Sequence, residues 1–249
     1  MALLSVAREL RAGAGDHRPI AVGGARELVP LLARELRSDG DASAVREGGA
    51  PQDAAVLVWI GKADERLLRE ASLARVPVVG VTEGESLPYV LDTDLVVVRA
   101  GQGMPVDAVA ERIAAALGDR GTSLAARLPV LRKPVVDELI RLAARRNALI
   151  AAAVWVPGVD LPVLTLNQAR LVLRIGLAYG EEVDGSRAPE LAGVVGAGFA
   201  FRALARQLAP LVPVAGWATK GTIAYSGTRA IGEAARRYFE QLGSVRQRS

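Results

Sequence analysis

Apolar and polar positions follow two different periods along this chain, and the change from one to the other divides it. Through the first 118 residues, short apolar runs alternate with amphipathic stretches. "PIAVGG" is an apolar run ended by glycines. After it, Leu28, Leu31, Leu32 and Leu36 fall at helical spacing, with Arg26, Glu27, Arg34 and Glu35 on the other face. "ASAVRE", after the turn "SDGD", reads as a weak second strand. "AAVLVWI" is uniformly apolar, as a strand covered on both faces must be. "ADERLLREASLAR" is an amphipathic helix with Asp64 and Glu65 in its first turn, where carboxylates favour the helix dipole. "VPVVGVT" and "DLVVV" give two more strands. "PVDAVAERIAAAL" closes the series, with Pro105 suited to a first helical turn and Gly118 to a C-terminal cap.

Four or five strands alternating with helices predict a doubly wound, mostly parallel α/β sheet. Ligands of such sheets bind at the carboxyl ends of the strands. Here those ends are residues 23–26, 61–64, 82–86 and 100–103. From about Ser123 the period becomes helical throughout. "LRKPVVDELIRLAARRNALIAAA" sets Val136, Leu139, Ile140, Ala143 and Ile150 on one face. In "PVLTLNQARLVLRIGLAYG" a polar stripe of Asn167, Arg170 and Arg174 runs among Leu, Val and Ile, and Gly180 caps the end. "APELAGVVGAGFAFRALARQL" and "GWATKGTIAYSGTRAIGEAARRYFEQL" follow, the latter placing Glu233 four residues before Arg237. The expected organisation is an α/β domain over 1–120 and an all-α domain over 121–249, with the break in "GDRGTSLAARLP".

Composition narrows the chemistry. The 249 residues hold no cysteine, which removes disulfides, thiolate zinc ligation and thiol catalysis, and fits a reducing compartment. The single histidine, His17, excludes a multi-histidine metal site, so no metal ligands and no cofactor are assigned. Aromatics are only 4% of residues, so Ala, Val and Leu must build the core. From residue 201 onward, eight Arg and Lys face two acids, a basic end suited to an anionic surface. Without aromatic interleaving or a nucleic-acid motif, nucleic acid is not an expected partner. No secretory signal is expected, and the uncharged runs 147–159 and 207–219 are 13 residues each, short of the ~20 that cross a bilayer.

The strand–glycine–helix stretch "RPIAVGGARELVPLLAREL" has the layout of a phosphate loop but not its residues. Such a loop needs a lysine and a hydroxyl for the terminal phosphates and magnesium. After Gly23 and Gly24 come Ala25, Arg26 and Glu27. Two readings stay open: the glycines serve a tight turn, or the helix-start amides of Gly23, Gly24, Ala25 and Arg26 hold a small anion. "GKAD" (61–64) lacks the Asn of a base-reading N-K-x-D motif, and Lys62 and Asp64 read as a helix-start pair. "VVGAGFAF" gives G-x-G-x-x-F without a preceding strand, so Gly193, Gly196 and Gly198 read as close helix packing. "GESLP" lacks the last glycine of a nucleophile elbow and a histidine to serve it. Asp53, Asp92 and Asp94 read as ordinary strand-end acids. No catalytic residue is assigned.

"LPVLTLNQARLVLRIGLAYG" and "GWATKGTIAYSGTRAIGEAARRYFE" resemble, in order and spacing, the YcjF-like domain of unknown function, over roughly 135–241. That bacterial domain occurs behind Era-like GTPase domains or in membrane-associated proteins. "AAVLVWIGKADERLLREASLARVPVVGVTEGES" is in turn similar to the central strand–helix–strand of those GTPases, and "AGQGMPVDAVAERIAAAL" to their last strand-to-helix crossing. The resemblance implies a degenerate GTPase-like domain, with the phosphate-loop lysine, the D-x-x-G and the base-reading motif all missing, joined to a helical domain. It implies a non-enzymatic protein, cytoplasmic and peripheral at the inner face of the membrane. Its expected partners are a membrane surface or partner helices, a second copy of the chain included, through Gly193, Gly196, Gly198 and Trp217. The alternative is a divergent nucleotide or anion binder using Gly23, Gly24, Ala25 and Arg26.

Overall fold

The computed structural model describes residues 15–99, 101, 103–153, 161–181 and 216–246. Two compact units divide the chain: Gly15–Val135, and Val136–Ser249 with Met1–Ala14. The first holds strands β1 (Ile20–Gly24), β2 (Val45–Glu47), β3 (Val56–Ile60), β4 (Val78–Thr82) and β5 (Leu95–Val97). Its helices are α1 (Val29–Arg37), α2 (Glu65–Leu73), α3 (Val106–Leu117) and α4 (Thr122–Arg127). All five strands are parallel, in the order β2-β1-β3-β4-β5. This is the flavodoxin-like order of doubly wound sheets. The expected α/β fold followed by a helical region is present.

The apolar runs are strands because both faces of the sheet are covered. Every residue of β3 and β4 is buried. One face carries α1 and α3, which touch each other as well as the sheet. In α1 the buried residues are Val29, Leu32, Ala33 and Leu36, whereas Leu28 and Leu31 are exposed. The apolar stripe is therefore shifted from the one expected, because the helix starts at Val29 and its i, i+3, i+4, i+7 series runs from there.

The opposite face is covered differently. Leu68 and Ala71 of α2 pack with Ala21, Leu57, Trp59 and Val78, but the β2–β3 and β4–β5 crossovers contain no α-helix. Only residues 48–55 return the chain from β2 to β3, where a parallel crossover ordinarily needs a dozen or more. They lie flat across β1. Gly48 N–H donates to Val22 O (3.0 Å), and Ala55 N–H donates to Pro19 O (2.9 Å). A Cβ on Gly23 would stand 2.5 Å from Gly49 Cα and 2.9 Å from the Trp59 ring, so only glycine permits this approach. Gly80 does the same for the second crossover: a Cβ there would meet Leu87 at 2.6 Å.

The stretch expected to be a linker is folded. Gly118, with φ 54°, ends α3 and leads through a 3-10 turn into α4, where Leu124 and Ala125 are buried, as are Leu128 and Leu131 beyond it. Arg127 fastens this segment. Its guanidinium donates to Asp41 Oδ2 (2.9 Å), Ser43 Oγ (3.0 Å) and His17 O (3.0 Å), while its carbonyl accepts from Asp41 N (2.9 Å). The compact unit thus extends to Val135, beyond the division expected at 120/121.

The second unit holds most of α5 (Pro129–Ala153), together with α6 (Leu161–Ala178) and α7 (Gly216–Arg246). Contacts fix their directions. Asp137 meets Arg236, and Asn147 meets Thr228, so α5 and α7 are antiparallel. Gln168 meets Thr228, and Tyr179 meets Glu240, so α6 and α7 are parallel. Glycines set the close approaches: a Cβ on Gly232 would lie 2.6 Å from Ile140, and one on Gly176 would lie 3.0 Å from the Phe239 ring. Gly180, at φ 79°, ends α6 with its N–H on Leu177 O, while Glu181 N–H reaches Gly176 O, a Schellman pattern. The expected Glu233–Arg237 pair is replaced by Glu233–Arg236 at 2.6 Å, one residue nearer, because Arg236 also faces Asp137.

Candidate functional site

In a sheet of this order the direction of winding reverses between β1 and β3, and ligands bind in the crevice that opens there. The residues at that point are Gly24, Ala25 and Arg26 after β1, and Gly61 to Asp64 after β3. Sequence reading placed both sets correctly at strand ends. Their groups, however, are turned toward each other.

Gly24 has φ 108°, and a Cβ on it would overlap the Ile60 carbonyl and stand 2.7 Å from Ile60 N. The Ala25 amide, which a phosphate loop would aim at its ligand, donates to Ile60 O at 2.9 Å. The Ala25 carbonyl accepts from Leu28 N (3.0 Å) and Val29 N (3.1 Å), closing the turn into α1. Gly61 N–H donates to Val81 O at 2.8 Å, and Trp59 Nε1–H donates to Lys62 O at 2.8 Å. Main chain therefore fills the base of the crevice.

The charged groups of "GKAD" have local duties. Asp64 caps α2, its Oδ1 accepting from Leu67 N at 3.1 Å, as the helix-start reading expected. At the end of β4, the buried Thr82 hydroxyl donates to Glu85 O (2.9 Å) and accepts from Gly84 N (3.3 Å). "VTEGES" is thereby a self-satisfied turn. Arg26 is exposed just ahead of α1, whose N-cap, Leu28, offers no side-chain acceptor.

Perturbed acids lie elsewhere in this unit. Ser43, through its hydroxyl, and Arg127 hold the Asp41 carboxyl down at about 2. Asp16 is held below the ordinary carboxylate range by its bonds to Arg18. Both are structural clamps, remote in role from the strand ends. Among the described residues no group of three or more His, Asp or Glu is placed to hold a metal ion.

Of the residues expected to pack or to touch membrane, Gly193, Gly196 and Gly198 lie outside the described residues, and Trp217 falls in the first turn of α7. Sequence reading missed a polar layer inside the helical unit. Asn147 Nδ2 donates to Thr228 Oγ1 (2.9 Å), Asn167 Nδ2 to Asn147 Oδ1 (3.0 Å), and Gln168 Nε2 to Thr228 Oγ1 (3.4 Å). Its visible traces were Asn147, at the start of the uncharged run 147–159, and Asn167, in the polar stripe of α6.

Comparison with protein-family models, curated proteins and solved structures gives no match for this chain.

Proposed function

We propose that this chain is a non-enzymatic assembly or membrane-associated protein. Its α/β unit is a degenerate GTPase-like scaffold, and its helical unit is of the YcjF-like kind. One observation carries the first half: the Ala25 amide is bonded to Ile60 O, inside the crevice where a nucleotide phosphate would need it. Offering that amide to an anion requires breaking its bond to Ile60 O. No lysine or hydroxyl at the loop compensates, since Ala25, Arg26 and Glu27 occupy those positions.

The resemblance of 135–241 to YcjF-like domains supports the second half. Among the described residues no helix is long and apolar enough to cross a membrane, so the membrane contact proposed is peripheral. The cytoplasmic face is its proposed location.

A second reading, anion binding at Gly23, Gly24, Ala25 and Arg26, draws on exposed Arg26 beside the uncapped start of α1. Thermal melts decide between the two. A ligand at ~100 times its Kd adds roughly 2.7 kcal/mol to stability. Millimolar Mg-GTP, Mg-ATP and inorganic phosphate should each leave the melting temperature unchanged. A rise with nucleotide overturns the scaffold reading. A rise with phosphate alone, abolished by Arg26→Glu, installs the anion site in its place.

A further inference from the structure

The two edges of the sheet are finished differently. On β2, Gly48 N–H points inward to Val22 O, so alternation turns the Val45 carbonyl outward. That carbonyl accepts from Arg37 at 2.9 Å, and the same guanidinium holds Glu47 at 2.9 Å. Arg46 is turned onto Ala50 O and Gln52 O, both at 2.7 Å. Charged side chains occupy this edge, as an edge closed to other strands requires. β5, at the other edge, has no such cover. Val98 N–H donates inward to Thr82 O at 2.8 Å, so Val97 N–H and C=O and Leu95 C=O point outward. Leu95 N–H is used by Asp92 O. Among the described residues nothing bonds to the three outward groups. Both edge strands are equally short, so length does not distinguish them.

The side chains at β5 are bare as well. Val97 is 56% exposed and shares a face with Leu95, the face covered here only by the helix-free β4–β5 crossover. On that crossover Tyr89 is 53% and Leu91 70% exposed, on either side of Val90, which packs with Leu95 on the Trp59 core. Tyr89 has φ 64°, a strained backbone for an aromatic residue that stays half exposed. Charge adds a direction. Glu83 and Glu85 follow β4, and Asp92 and Asp94 lead into β5, so acids stand at both ends of the edge. Arg99 is the one base in residues 83–99, within a chain of net charge +4. Among the described residues none of these four acids has an ion pair. An acidic margin around a bare edge is complementary to a basic strand.

We propose that the β5 edge docks an extended peptide of another protein, apolar at alternate positions and basic between them. Its main chain adds a strand to the five-stranded sheet through Leu95 C=O and Val97 N–H and C=O. Its apolar side chains cover Val97, and its basic ones meet the acids at the ends of the edge. A second copy of the chain is the poorer occupant, since apposing two such edges sets acids against acids. The inference rests on the assembly half of the proposed function and gives it a surface.

An array of immobilised peptides of about seven residues, probed with the full chain, tests it. In each peptide an apolar position (Val, Ile, Leu or Tyr) alternates with Lys, Ser or Glu. The Lys set should retain the protein about tenfold better than the Glu set, with Ser between, and high salt should narrow the gap. The strongest Lys peptide should shift the amide resonances of Leu95 and Val97, and N-methylation of its alternate residues should abolish those shifts. Val97→Pro removes only an outward N–H, which an edge strand tolerates, so the melting temperature should hold while retention falls about tenfold or more. Val97→Lys, which guards the edge with a charge, should act alike. Asp92→Asn with Asp94→Asn should weaken only the Lys set. Equal retention by the Lys and Glu sets, or retention undiminished by both Val97 variants, overturns this inference and leaves assembly through another surface standing. Failure of every peptide to retain the folded protein overturns it too. Light scattering that finds a wild-type dimer, split by Val97→Lys, assigns the edge to a second copy instead. A nucleotide-induced rise in melting temperature would strike the scaffold reading without touching this one.

Discussion

Gly24 and Gly48 have nearly the same backbone, φ 108° and 120°, but opposite surroundings. Around a Cβ on Gly48 there is nothing within 4 Å, whereas one on Gly24 would overlap the Ile60 carbonyl. Substituting alanine at each separates backbone strain from the closure of the crevice. Gly48→Ala should cost only the left-handed conformation, about 1–3 kcal/mol. Gly24→Ala adds overpacking against main chain, which cannot swing aside as the end of a side chain does, at ~1–3 kcal/mol. It also lengthens or breaks the 2.9 Å Ala25–Ile60 bond, a further ~0.5–1.5 kcal/mol. The expected gap between the two variants is about 2–4 kcal/mol, or roughly 10 °C in the melting of a unit this size. Urea titration reads it by Trp59 fluorescence, with Trp155→Phe and Trp217→Phe removing the other indoles. Equal losses in the two variants would refute the view that Gly24 is wedged against β3.

Three further outcomes follow from particular contacts. Asn147→Ala removes one bond to Thr228 and one from Asn167, both buried or half-buried, and should cost about 2–4 kcal/mol; a double-mutant cycle with Thr228→Ala should give coupling of ~1 kcal/mol or more, and additivity would deny the bond. Because Asp41 titrates at about 2 in the fold against 3.8 ordinarily, its contribution is complete above pH 3.8 and lost as pH falls through 2; Asp41→Asn should flatten the acid-denaturation curve in that window, and an unchanged slope would contradict the clamp. Limited trypsin digestion should spare Arg127, whose side chain binds Asp41, Ser43 and His17, so early cleavage after it would show that 118–131 is a linker after all.

What was legible in the sequence depended on how far apart the interacting residues are. β1, β3 and β4 were readable because strands covered on both faces need uniformly apolar runs, and "VLVWI" and "VVGVT" supply them. Asp64 was readable as a helix start because its partner, Leu67, is three residues away. "GDRGTSLAARLP" misled because its Gly, Ser and Pro content suggests a break. Leu124, Leu128 and Leu131 nonetheless follow helical spacing into the core. The Gly23–Gly49 approach leaves no local signal, since Gly23 answers a segment beyond the next strand. The same holds for Asn147 and Thr228, 81 residues apart. At the candidate site the missing lysine and hydroxyl were visible directly. The bond that closes the crevice was not, because donor and acceptor come from strand ends that meet only in the sheet.

The amide of Ala25 reports on the central claim most directly. Its hydrogen exchange, followed by NMR with and without millimolar Mg-GTP, measures whether that N–H is bonded within the fold or offered to a ligand. Bonded to Ile60 O, it should be protected to the level of the neighbouring strand amides of Ala21 and Val22, with neither its protection nor its chemical shift moved by nucleotide. Exchange at the rate of an open loop, or a shift of the Gly23 to Arg26 amides on adding Mg-GTP, would contradict a crevice closed by the protein's own main chain.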